Sequence, residues 1–264
     1  MDFDYDNTLS TDERSRSRLQ IAAAYANVAM RAGLTIEELR ECTVGPINEA
    51  RARAFAVMMN LAFALEVAFK GKITDEMLNT ITRGRDKHDL KILYGKLPKI
   101  EQEQLKMEVK DILVIDDSAF NEYLELCRNG LIEWRYFFEP DKAGKEYNYL
   151  GITLFLYASV YYLIAGEQND SLLEPCTFKK QCYVGQWGVL RTKYALSVEY
   201  RNAEKTALKD GNGIISEPDQ KWLQSIKERQ QINDKEIHRI EKNYDEKNTS
   251  ATYPAGLSML KSSN

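Results

Sequence analysis

Histidine is scarce in this sequence, two in 264 residues, and cysteine numbers only four. His88 and His238 stand far apart, and Cys42, Cys127, Cys176 and Cys182 form no C-x-x-C pair, so no set of three or four zinc ligands has motif spacing. The His88-Asp89 dipeptide suits a metal-dependent phosphohydrolase, but that chemistry needs further histidines. No metal site and no cofactor are expected. The glycines form neither G-x-x-x-x-G-K-[ST] nor G-x-G-x-x-G, which excludes the two common glycine-rich nucleotide cradles. No G-x-S-x-G nucleophile elbow is present either, although a Cys–His or Ser–His pair assembled in space stays open.

A large excess of one charge is also missing: 36 Lys and Arg face 40 Asp and Glu, for a net charge of −4. Such a chain has no overall positive field for non-specific DNA binding. A few arginines in one cleft can still hold RNA phosphate. The acidic start Met1-Asp2-Phe3-Asp4 is unlike a secretory signal, and the unpaired cysteines suit a reducing compartment, so a cytoplasmic location is expected. The stretch 147–166 carries no charge but holds Thr153, Ser159, Gly151 and five tyrosines. A spanning helix wants about 20 mainly apolar residues, so this reads as a buried helix rather than a membrane segment.

What is present is mostly helical patterning. Thr11-Asp12-Glu13 can cap a first helix running through Leu19, Ala23, Val28 and Met30 to Gly33. A short helix and a turn at Gly45-Pro46 follow. Between Ala54 and Phe69 only Asn60 and Glu66 interrupt an apolar run, the mark of a central, buried helix. A loop near 82–87 leads to a short helix opened by His88-Asp89-Leu90-Lys91 and ended by Leu97-Pro98, then to a polar helix over about 99–113. Phe120, Leu124, Cys127, Leu131, Trp134 and Phe138 alternate four and three apart, which predicts one apolar stripe along one helix. The uncharged helix near 148–165 completes four or five packed helices.

Around residue 177 the pattern changes. Leu190, Tyr194, Leu196, Val198 and Tyr200 are apolar, with Arg191, Lys193, Ser197 and Glu199 between them, which is strand alternation. With Cys182-Tyr183-Val184 before and Asp210-Gly211-Asn212-Gly213 after, a small β-hairpin or meander is expected, with a helix as the alternative. Ser216-Glu217-Pro218 starts a charged helix marked by Trp222, Ile226, Ile237, Ile240 and Tyr244. The expected organisation is a mainly α bundle over 1–170, a β-containing segment over 171–215, a charged helix over 216–247 and a tail over 248–264.

Three segments resemble the HEPN family, helical bundles found in prokaryotic toxin and phage-defence systems. Leu61-Ala62-Phe63-Ala64-Leu65-Glu66-Val67-Ala68-Phe69-Lys70 resembles the family's "ALELxLK" helix. His88-Asp89-Leu90-Lys91-Ile92-Leu93-Tyr94 resembles "HDLxxLY", and Trp134-Arg135-Tyr136-Phe137-Phe138-Glu139 resembles the "RYxxE" end of a later helix. Order and spacing agree over roughly 50–165, a normal domain length. The resemblance implies a HEPN-like bundle, dimerisation, and RNA as ligand in a defence or toxin–antitoxin setting.

It also points to residues. HEPN ribonucleases carry an arginine, a polar residue and, a few positions on, a histidine. Arg128-Asn129 fit the first two, whereas Glu133 and Arg135 occupy the two usual histidine places. Metal-independent RNA cleavage of this kind needs a base for the sugar proton and a cation for the phosphorane charge. Arg128, Glu133 and His88 are the catalytic candidates, and Arg128, Asn129 and Arg135 the RNA-binding ones. Glu133 would need burial to serve as a base. The plainer alternatives are helix salt bridges, Arg128 with Glu125 and Arg135 with Glu139, and a His88 that organises the bundle. The alternative is a non-catalytic homodimeric or partner-docking protein without an RNA role.

Overall fold

The computed structural model describes residues 10–42, 49–81, 84–134, 148–165, 169–208 and 215–249. Among them are twelve α-helices and no strand. The chain divides into two compact units, Met1–Cys182 and Tyr183–Asn264.

The first unit is built around α3 (Glu49–Lys72) and α9 (Tyr149–Ala165), which pack on each other. Both are apolar nearly all round, as a helix with neighbours on every side must be. Against them lie α1 (Thr11–Arg31), α2 (Ile36–Glu41), α5 (Leu90–Lys96), α6 (Lys99–Leu113), α7 (Asp117–Cys127) and α8 (Gly130–Glu133). The short α4 (Asp75–Asn79) and most of α10 (Thr177–Gln186) complete the unit. By length and composition alone α3 could cross a membrane, but here most of its apolar window is buried by its neighbours. Tyr149, Tyr157 and Tyr161 on α9 are buried too, which makes them core residues.

Several helix starts use the expected chemistry. Ser10, one residue before the predicted cap, forms a reciprocal box with Glu13, and Thr35 does the same with Glu38. Asp89 caps α5 and Asp116 caps α7.

The stripe from Phe120 to Trp134 is not one helix. α7 stops at Cys127 because the Arg128 carbonyl accepts from the Leu90 amide at 2.9 Å instead of from the next turn. Ile132 and Glu133 turn instead to the Asn129 carbonyl, both at 2.9 Å, and start α8. Phe138 lies outside the described residues.

The second unit corrects the β expectation. Residues 190–200 lie inside α11 (Val189–Ala207), which packs on α12 (Glu217–Thr249). The alternation misled because its even positions do not share a buried face: Leu196 is buried while Tyr194 is 50% exposed. The positions that do face inward, Val189, Leu196 and Ala203, are seven apart, two helical turns. α12 answers with Leu223, Ile226, Asn233, Ile237, Ile240 and Tyr244; Leu223, rather than the half-exposed Trp222, enters the core. Asn233 donates to the Val189 carbonyl at 3.2 Å, and Lys193–Asp234 and Arg229–Glu199 ion pairs flank the seam.

Candidate functional site

Three separated stretches of the first unit meet in one polar cluster. α3 brings Glu66 and Lys70; the 3-10 turn Gly84–His88 and the start of α5 bring His88, Asp89 and Lys91; the end of α7 brings Glu125 and Arg128. Asp89 is the pivot and is buried at 4% exposure. Its Oδ1 accepts from the Lys91 and Ile92 amides, both at 3.0 Å, while Oδ2 accepts from Arg128 Nε at 2.6 Å. One carboxylate thus starts a helix and fixes an arginine 39 positions further along the chain.

Arg128 makes a second ion pair with Glu125 at 3.3 Å, and Glu125 also accepts from Lys91 at 2.6 Å. The Asp89 carboxylate, then Glu125, hold the guanidinium pKa above its ordinary value. Lys91 first, then Arg128, hold Glu125 below its own. About 39% of the Arg128 side chain remains open to solvent, so both anchoring and a solvent-facing edge are available.

His88 sits one residue before the pivot. Its Nδ1 lies 3.0 Å from Glu66 Oε1, and that same oxygen accepts from Lys70 at 2.6 Å. Glu66 is 2% exposed, whereas the imidazole is 46% exposed. The other Glu66 oxygen is buried with no hydrogen-bond partner among the described residues.

The remaining nominated residues are placed less tightly. Asn129 links α7 to α8, and its side chain makes no cap bond. Glu133 is exposed on α8, so the burial required of a base is absent there. Arg135 and its proposed partner Glu139 lie outside the described residues. Gly130 and Trp134 fix the turn: the buried indole covers Gly130 so closely that a Cβ there would stand 2.6 Å from Cζ3.

Sequence reasoning found His88 and Arg128 and the Arg128–Glu125 pair. It missed Asp89 as the pivot and Glu66 as the partner of His88. The signal was the charge itself: Glu66 is the lone acidic residue in the apolar run of α3.

Among the described residues no group of three His, Cys, Asp or Glu side chains gathers as a metal site. The second unit holds an open cavity of about 450 Å³ walled by Tyr183, Trp187, Arg239 and Asn243, which contains none of the nominated residues. Comparison with protein-family models, curated proteins and solved structures gives no match.

Proposed function

We propose that the chain is a HEPN-like helical protein of a bacterial defence or toxin-type system that binds RNA at the His88–Arg128 edge of its first unit. The observation that supports this reading is the Asp89 pivot, which fixes Arg128 to the residue that follows an exposed histidine. A pre-set guanidinium is suited to phosphate because little side-chain freedom is lost on binding. Asn129 is at the same corner and adds a neutral polar group. Arg135 belongs to the same proposed RNA surface through the sequence resemblance alone.

A second reading has its own observation. Arg128 is matched by two carboxylates and Lys91 by one, so the corner has little uncompensated positive charge. That suits a homodimeric or partner-docking bundle in which the cluster holds helices together.

The two separate in one experiment. Purified wild type, Arg128→Ala and Glu133→Ala are incubated with transfer RNA, and both binding and strand integrity are measured. The RNA reading expects binding that weakens in Arg128→Ala. Equal and negligible binding by all three proteins removes the RNA reading and leaves the docking one, for which light scattering gives the oligomeric state.

A further inference from the structure

We propose that Glu66 and His88 form a proton-accepting dyad, with His88 the catalytic base and Glu66 the residue that positions it. This rests on the RNA-binding reading for its substrate.

The geometry sets the direction of the hydrogen bond. Glu66 is ion-paired to Lys70 at 2.6 Å, and an ionised carboxylate can only accept. The Nδ1 of His88, 3.0 Å from the same oxygen, therefore carries the proton. This leaves the Nε2 lone pair on the other side of a ring that is 46% exposed. A buried carboxylate fixing Nδ1–H so that Nε2 faces the reactant is how a histidine is prepared as a base. The anchor is firm, because Glu66 is buried on the central helix while the histidine sits at the rim.

A cation is tied to the residue that follows the base in the chain. Asp89 follows His88 in the chain and holds Arg128 Nε at 2.6 Å, and the Leu90 amide binds the Arg128 carbonyl at 2.9 Å. Side chain and backbone both lock position 128 to the segment that carries the imidazole. The dyad and its neighbour thus provide the two groups that cleavage at a ribose requires, a base and a fixed positive charge.

His88 Nε2 takes the proton of a ribose 2′-hydroxyl, whose oxygen bonds to the adjacent phosphorus as the bond from phosphorus to the 5′-oxygen breaks. The departing oxygen takes a proton from water, and the imidazolium gives its proton to the hydroxide so formed. The products are a 2′,3′-cyclic phosphate and a free 5′-hydroxyl. Arg128 faces the charge that builds on the non-bridging oxygens.

The test uses the full chain and two readouts. The sequence has only two histidines, and His238 is 84% exposed, so it is an internal reference for nitrogen spectra. At about pH 8.5, where a free imidazole is neutral, His88 is expected as the Nδ1–H tautomer, and this signature is lost in Glu66→Gln. Glu66→Gln/Lys70→Met removes both charges together and gives the same loss if the single variant fails to fold. In the second readout, a single-stranded RNA oligonucleotide is cut to cyclic-phosphate ends and its 2′-deoxy counterpart is not. His88→Gln lowers the rate about 100-fold or more while RNA binding persists.

An Nε2–H tautomer in the wild type overturns the dyad, as does a cleavage rate unchanged in His88→Gln. RNA that is bound but left intact also overturns the dyad while the RNA-binding reading stands. Absence of binding removes that reading and the substrate with it.

Discussion

Asp89 Oδ2 accepts a hydrogen bond from Arg128 Nε at 2.6 Å while Asp89 Oδ1 caps the helix that begins beside it. Substitutions can separate the two duties. Asp89→Asn keeps a side-chain oxygen for the cap but loses the charge facing Arg128; Asp89→Ala loses both. Asp89→Ala is expected to be the less stable by about 1 kcal/mol, the usual worth of an N-cap. Urea unfolding of the two variants checks this, and equal midpoints would show that the cap contributes nothing.

Gly130 and Gly95 are opposite cases of one exchange. Alanine normally improves a helix by about 1 kcal/mol over glycine. At Gly95, on α5, an added methyl meets nothing within 4 Å, so Gly95→Ala is expected to stabilise by up to that amount. At Gly130 the methyl meets three ring atoms of buried Trp134 between 2.6 and 2.9 Å, and the change is expected to cost about 1–3 kcal/mol. Thermal melts of both variants decide it; a raised melting temperature for Gly130→Ala would contradict the described Trp134 packing.

Acid stability depends in part on Asp117. Hydrogen bonds from Lys106 and Lys110 hold its folded-state pKa down to about 2. A carboxylate whose pKa is depressed by folding stabilises the fold at pH above its unfolded value, about 4, and loses that contribution as the pH falls toward 2. Asp117→Asn should therefore be less stable than wild type near pH 6, with the difference shrinking between about pH 4 and 2. Parallel thermal melts across that window test the sign, and a gap that widens on acidification contradicts it.

The thiols should divide by burial. Cys127 and Cys182 are buried, and burial raises both pKa values, so little thiolate is present at either. Cys42 and Cys176 are half-buried. Brief alkylation at about pH 8 should leave Cys127 and Cys182 unmodified in the native protein and label all four in denaturant, as read by mass spectrometry. Rapid native labelling of Cys127 would show that the α7 core opens.

Val114 ends α6 in the left-handed region, at φ 55°. A β-branched residue is strained there, and glycine is the natural occupant of such a helix end. Val114→Gly should hold or raise stability despite the loss of a partly buried side chain, as urea unfolding would show. A loss of several kcal/mol would mean that the valine's packing outweighs the strain.

Legibility in the sequence followed how local each determinant was. α6 and α9 could be bounded closely because their polar or uncharged character is continuous, and the end of α5 because its stop, Leu97-Pro98, is adjacent in the chain, whereas α3 extends beyond the Ala54–Phe69 apolar run at both ends. The α7–α8 break could not, because its cause is an acceptor taken by Leu90, far back in the sequence. α11 failed for a different reason: exposed Tyr194 imitated an inward residue, and burial is not written in residue type. In the polar cluster, histidine and arginine were recognisable singly. Their carboxylate partners, Glu66 and Asp89, became visible only once three segments were assembled.

The Leu90–Arg128 bond joins one main-chain amide to one main-chain carbonyl. No exchange of side chain at either position removes it, proline at 90 excepted, because proline alone lacks the amide hydrogen. The Asp89–Arg128 contact beside it is made by side chains, and one substitution abolishes it. The corner is therefore tethered twice, once by a bond that mutation leaves in place and once by a bond that mutation can take away.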